Sequence, residues 1–250
     1  MSLDTDASTD IRRSELRTLS HWMGEPSREL AILGEGNVSA RVAHDAMLIK
    51  ASGSSLATLA PDELVEMRIA PVIDLLDDAA ATDAVVERVL RESMLSPQGR
   101  HPSVEVLLHA LCLTDGGAEV VVHTHPRSVN SLLCSDQADA LVRGSLFPDQ
   151  IVILGRRQLL VDYVDPGLQL ARTVRVRLSE FVRENKTMPK VIYLRNHGLF
   201  ALAASTDEAI RVTAMVEKVA RVLIGALAAG QPVFLSEEEV ERIDTRPDEL

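Results

Sequence analysis

His123 and His125 stand one residue apart at the end of an apolar run, Val120-Val121-Val122-His123-Thr124-His125-Pro126. Residues at i and i+2 of a strand project to the same side, so this spacing presents two imidazoles together where the run meets a proline. A third histidine ends a second apolar run, Val191-Ile192-Tyr193-Leu194-Arg195-Asn196-His197-Gly198, and a carboxylate, Glu105, lies upstream in Pro102-Ser103-Val104-Glu105. Three neutral imidazoles and one carboxylate form a four-ligand set that suits Zn2+ or another divalent transition metal. One such histidine alone is more often a core or surface residue than a ligand; three at strand ends weaken that reading. The other histidines are His21, His44, His101 and His109. Of these His109 is the candidate for the site, because Glu105 and His109 are four apart on an expected helix and would share a face.

Elements must carry these side chains to one place. Short apolar runs at 46–51, 119–123, 151–154, 190–194 and 199–203 read as strands. Helices are expected between them. Over 11–23, apolar Ile11, Leu16, Leu19 and Trp22 define one, and a second covers 168–182 after Asp165-Pro166-Gly167. The clearest covers 206–229: Ser205 is an N-cap with Glu208 three residues on, apolar Ile210, Met215, Val216, Val219 and Leu223 recur at helical spacing, and Gly230 and Pro232 stop it. Gly34 and Gly36 break any regular pattern across 30–42. The interleaving predicts an α/β (α+β) fold with a central, mixed sheet.

Composition narrows the function classes. The 250 residues carry a formal net charge of -11, which argues against nucleic acid or an anionic membrane as the partner, so an anionic substrate must be held by local positive charge. No apolar stretch reaches transmembrane length, and the polar, acidic start over 1–10 has no hydrophobic signal core; it reads as a frayed cytoplasmic N-terminus. Cys112 and Cys134 are far apart and sit among leucines, so each is expected to be a reduced, buried small hydrophobe rather than a disulfide partner or nucleophile. Gly-x-Ser-x-Gly, Gly-x-x-x-x-Gly-Lys-Ser/Thr and a Gly-x-Gly-x-x-Gly after a strand are all missing, which removes the usual sequence support for a serine hydrolase, a P-loop NTPase or a dinucleotide enzyme.

Five segments then carry a resemblance. Gly36-Asn37-Val38-Ser39, Ile49-Lys50-Ala51-Ser52-Gly53, Pro102-Ser103-Val104-Glu105, His123-Thr124-His125-Pro126 and Asn196-His197-Gly198 occur in the order and rough spacing of the class II aldolase/adducin family. The chain resembles that family over about 16–241. The resemblance implies an αβα sandwich around a mixed, mainly antiparallel sheet, and a homotetramer with active sites between subunits. It also implies zinc on His123, His125, His197 and Glu105, with Glu105 doubling as the catalytic base. The implied reaction is cleavage of a sugar phosphate or related acidic ketose through a metal-stabilised enediolate; a divalent cation stabilises the charge that develops, and a carboxylate beside it moves the proton. Gly36, Asn37, Ser52, Gly53 and Ser103 match positions that hold the substrate's anionic end, although Gly36-Asn37 taken alone reads as a turn.

This chain departs from the family pattern in several places. Val104 stands where a second serine is common, and Lys50-Ala51 replace a usual Thr-Pro. Lys50 is therefore expected to read the substrate's anion in place of the hydroxyl that Val104 lacks, or else to point to water from an exposed strand. A helical insert over about 68–99 and the Lys-x-Ser-Gly and Pro-Ser-Val-Glu patterns are similar to the aldolase half of rhamnulose-1-phosphate aldolase/alcohol dehydrogenase proteins. The stretch 143–148 lacks the tyrosine that donates a proton in some aldolases; Tyr163 and Tyr193 are the two tyrosines of the chain. The expected organisation is one domain over 11–241 and a polar tail over 242–250. Alternatives are an epimerase or decarboxylase of the same family, the epimerases tending to carry aspartate at the position of Glu105, or a non-catalytic adducin-like module without stoichiometric zinc.

Overall fold

Val120 to Thr124 is apolar or buried at consecutive rather than alternate positions, a pattern that a strand adopts when both faces of its sheet are covered. The computed structural model, which describes residues 3–96 and 99–246, has that architecture. Its strands are β1 (Asn37–Ala43), β2 (Ala46–Lys50), β3 (Leu64–Arg68), β4 (Val120–Thr124), β5 (Leu159–Val161), β6 (Val191–Leu194) and β7 (Gly198–Ala203). They form one sheet in the order β3-β2-β1-β4-β7-β6-β5. Neighbours are antiparallel except for the parallel β5–β6 edge. The mixed, mainly antiparallel sheet is the one expected.

Alternation sorts the side chains into two cores. Met47, Ile49, Val121, Ile192, Leu194, Phe200 and Leu202 face one side. There they pack on α2 (Ala70–Asp74), α3 (Asp83–Glu92), α4 (Val106–Thr114) and α8 (Leu168–Asn185). Leu48, Val120, Val122, Val191, Tyr193, Leu199 and Ala201 face the other. That side is covered by α1 (Leu3–Met23), α5 (Arg127–Leu133), α6 (Ala140–Arg143), α7 (Pro148–Leu154) and α9 (Thr206–Ala229), while α10 (Glu237–Asp244) packs on α7. Each fully buried aliphatic side chain contributes about 1.5–3 kcal/mol to this sandwich.

The structure corrects several expectations. Residues 151–154 are helical, not a strand: Pro148 at the first helical position and Asp149 in the first turn start α7, and these signals override the β-branched Ile-Val-Ile. β1, β3 and β5 lie where no strand is expected: glycines mask the entry to β1, prolines flank β3, and β5 is only three residues long. α1 begins at Leu3, inside the segment expected to be frayed, since elongation is cheap once Leu16, Leu19 and Met23 anchor the helix. α10 runs to Asp244, into the expected polar tail. Of the segments with stated boundaries, 1–2, 97–98 and 247–250 lie outside the described residues. Cys112 is buried as expected and its thiol is pushed up to about 12, first by burial and then by Asp115. Cys134 is exposed, because it caps the end of α5 rather than packing within it. Among the described residues no helix is long and apolar enough to cross a membrane.

Candidate metal centre

The sheet register assembles the site. Asn37 of β1 pairs with His123 of β4, and His123 pairs in turn with Phe200 of β7. His125 lies just past the end of β4 and His197 sits in the tight β6–β7 connection beside the Leu194–Gly198 pair. Asn196 makes that turn in the left-handed region at φ 53°, which asparagine tolerates better than most residues. Glu105 precedes the first turn of α4. Three segments distant in sequence thus bring one ligand atom each from Glu105, His123, His125 and His197 to within 4.8 Å of one another.

The hydrogen bonds show what these atoms are prepared for. His123 Nδ1 donates to the Leu199 carbonyl at 2.9 Å, so in the neutral ring Nε2 carries the lone pair. That Nε2 faces His125 Nε2 at 2.9 Å and Glu105 Oε1 at 3.0 Å. His197 Nε2 lies 3.2 Å from the same Oε1. Converging imidazole lone pairs and a carboxylate oxygen fit a divalent cation of the zinc type. His123 is fully buried and stacks on Phe200 with ring centroids 4.3 Å apart.

Around this set the electrostatics keep the ligands ready. Burial alone would raise the Glu105 carboxyl, but the charge and N–H donation of the His123 and His197 rings, when they carry protons in place of a metal, outweigh it and hold the group well below the ordinary carboxylate range. Burial, together with the neighbouring imidazoles, pushes His125 down to about 3, so it stays neutral and able to ligate. Glu105 Oε2 accepts from Asn37 Nδ2 at 2.5 Å. Asn37 therefore orients the carboxylate, with at least one of its amide hydrogens committed away from any substrate anion.

The remaining expected residues gather at neighbouring loops. A bridge between Ala51 and Pro102, and the bond from Ser52 N to the His101 carbonyl at 2.8 Å, join the Ser52-Gly53 loop to the segment that leads into Ser103. Ser103 Oγ accepts from the Glu105 amide at 3.4 Å. Gly36 has φ +71°, and a Cβ there would lie 2.7 Å from the His123 carbonyl, which explains the glycine. Lys50 does not point to water: it is 1% exposed, and its ammonium meets backbone carbonyls instead of an open anion site. Val104 turns outward, 42% exposed. His109 does not join the ligands. Its Nδ1 meets Ser39 Oγ at 2.7 Å, its ring packs edge-on against Phe200, and burial pushes it down to about 3. Tyr163 is exposed and bonded to Asp165, while Tyr193 is buried in the core.

Sequence reasoning missed two side chains. Glu35 Oε2 lies 3.7 Å from His125 Nδ1, and Asn130 Nδ2 donates to the His197 carbonyl at 2.9 Å. The carboxylate set between Gly34 and Gly36 was a readable signal for the first; nothing in the sequence marks the second. Both line a cavity of about 710 Å³ beside His125, with Glu29, Ile32, Arg127 and Ser131.

Known proteins are similar to this chain in sequence and fold. A 3-oxo-tetronate 4-phosphate decarboxylase of Haemophilus influenzae is 23% identical over 241 residues, 95% of this chain and 99% of that protein. An uncharacterized oxidoreductase, YuxG of Bacillus subtilis, is 24% identical over 205 residues, 79% of this chain; the match spans 26% of that longer protein. An L-fuculose 1-phosphate aldolase structure superposes with a TM-score of 0.69 at 20% identity, covering 93% of each chain. The family model described as Class II Aldolase and Adducin N-terminal domain matches residues 14–224, across the whole ligand set, and the chain therefore belongs to the class II aldolase and adducin family.

Proposed function

We propose that this protein is a zinc-dependent aldehyde-lyase that cleaves a sugar phosphate or a related acidic ketose. The observation that carries the reading is the division of Glu105: one oxygen sits among the three imidazoles while the other is held by Asn37. His123, His125 and His197 would hold Zn2+ or another divalent metal, with Glu105 as the fourth ligand of the resting site. A divalent cation there supplies Lewis-acid stabilisation of the negative charge that develops on the substrate's oxygens as the carbon–carbon bond breaks. Glu105 moves the proton at the reacting carbon. Gly36, Ser52, Gly53 and Ser103 supply amides and hydroxyls for the anionic end of the substrate, and Asn37 aims the base. The cavity beside His125 has room for the other half of the molecule. We read 11–241 as one catalytic domain working in a cytoplasmic homotetramer.

One observation favours a second reading. The similarity to a 3-oxo-tetronate 4-phosphate decarboxylase runs end to end through both chains, and loss of carbon dioxide leaves the same kind of charge beside the metal. A panel of ketose 1-phosphates and phosphorylated 3-oxo acids, assayed separately for aldehyde and carbon dioxide, decides between them. Aldehyde release that a chelator abolishes is the expected result. Carbon dioxide without aldehyde would make the protein a decarboxylase, and a purified protein with neither turnover nor metal would place it with non-catalytic adducin-like modules.

A further inference from the structure

Lys50 closes β2, and strand alternation puts its side chain on the face of Leu48, opposite that of Ile49. Instead of reaching solvent it runs back through the protein and is one of the largest fully buried side chains of the chain. Its Nζ donates to the Ser54 carbonyl at 2.7 Å and to the Gly34 carbonyl at 3.2 Å, with the Ala51 carbonyl at 3.5 Å. An ammonium has three N–H groups, and these three carbonyls occupy them. Gly34 belongs to the loop that leads into Asn37, whereas Ser54 ends the Ser52-Gly53 loop. The two loops touch at their glycines, since a Cβ on Gly34 would lie 3.7 Å from the Gly53 carbonyl oxygen.

A second anchor holds the far side of the same junction. Ser54 Oγ donates to Glu63 Oε1 at 3.0 Å, and the other oxygen of Glu63 accepts from the Ala60 amide at 2.9 Å. The nearby carboxylates of Glu105 and Glu63 offset part of the cost of burying the Lys50 charge. Burying an ammonium is costly unless it is well bonded, so a lysine kept here must be doing something with its three bonds. Burial also lowers its pKa to about 8, consistent with an interior position that water does not reach.

We propose that Lys50 is a positioning residue: its ammonium joins the Gly34–Asn37 loop to the Ser52–Ser54 loop from behind, and so sets the spacing of Gly36, Asn37, Ser52 and Gly53, without touching the substrate. That these loops cradle the substrate's anion rests on the function proposed above; that Lys50 joins them does not.

Hydrogen exchange read by mass spectrometry on metal-loaded protein, wild type against Lys50→Met, tests the junction. The expected result is exchange about tenfold or more faster in both loops, with metal content unchanged and the rest of the sheet as protected as before. A folded Lys50→Met protein whose two loops exchange at the wild-type rate overturns the proposal. Wild-type protein gives an arm that does not depend on the variant folding. Amine acetylation should modify Lys50 roughly tenfold or more slowly than exposed Lys186 and Lys218, equally with and without inorganic phosphate. Modification of Lys50 at the rate of those two, suppressed by phosphate, would mean that it reads the anion directly and would end the positioning role. Inorganic phosphate affinity separates this inference from the functional reading. Roughly tenfold weaker binding in Lys50→Met at unchanged melting temperature is the effect of misplaced loops and not of a merely structural lysine. Wild-type protein that binds no phosphate removes the anion-site reading of the loops, while the exchange and acetylation results still decide the junction.

Discussion

Glu105 has two oxygens with different surroundings, and this division can be tested by removing charge while keeping shape. Glu105→Gln should retain much of its metal on three imidazoles but lose turnover by roughly two orders of magnitude or more, whereas His123→Ala or His197→Ala should strip the metal, read by elemental analysis. Full metal content in both alanine variants would remove the site. His109 calls for a different experiment, because it is buried against Ser39 and Phe200 rather than poised at the ligands. Its folded pKa is pushed down to about 3 by burial and by His123, from the ordinary value of 6.5. Between those values the unfolded chain binds a proton that the folded chain does not, so stability falls as pH drops from 6.5 towards 3, by up to about 1.4 kcal/mol per pH unit for this residue. Urea unfolding of chelator-treated protein at pH 6.5 and pH 4.5 should show a shallower loss in His109→Gln than in wild type. The same substitution should cost on the order of 1–3 kcal/mol near neutrality, because it disturbs the hydrogen bond to the buried Ser39 hydroxyl. Equal pH slopes in the two proteins would show that His109 takes up its proton without opposition.

At the scale of elements, the ligands depend on how closely two strands meet. Gly198 opens β7 opposite Leu194, and a Cβ there would come within 2.5 Å of both His125 Cδ2 and the Thr124 carbonyl, and 3.4 Å from His123 Cε1. Neither the backbone nor two committed imidazoles can yield without moving the ligands. Gly198→Ala should therefore weaken metal binding by roughly tenfold or more and lower the melting temperature together. Gly225, inside α9, has open space where a Cβ would stand, with nothing within 4 Å, so Gly225→Ala should stabilise by about 0.5–1 kcal/mol with metal affinity unchanged. Matched metal affinities in the two variants, by titration with a competing chelator, would show that the strand contact does not position the histidines.

At the scale of the whole molecule, we expect assembly. Ile32 and Leu33 stand 63% and 84% exposed on the rim of the cavity beside His125, and an apolar pair beside a polar site is a common mark of an interface. Light scattering should return the mass of four chains at micromolar concentration; a fully active monomer would refute this. Much of the molecule was legible in the chain alone. The candidate ligands could be picked out because imidazole pairs at i and i+2 on an apolar run have few other uses, and the strands carrying them are buried on both faces and so read as unbroken apolar runs. Ser205 and Gly230 bounded α9 as expected because a side-chain cap and a glycine stop act locally. What the sequence could not determine lies where distant segments compete or meet. Ile151 to Leu154 has strand-like composition, yet a proline start and packing on α9 make it helical. The direction of Lys50, the bond between Asn37 and Glu105, and the approach of Glu35 to His125 depend on loops far apart in the chain. Residue type and spacing name the donors; only the folded sheet, through its register, decides which acceptor each one meets.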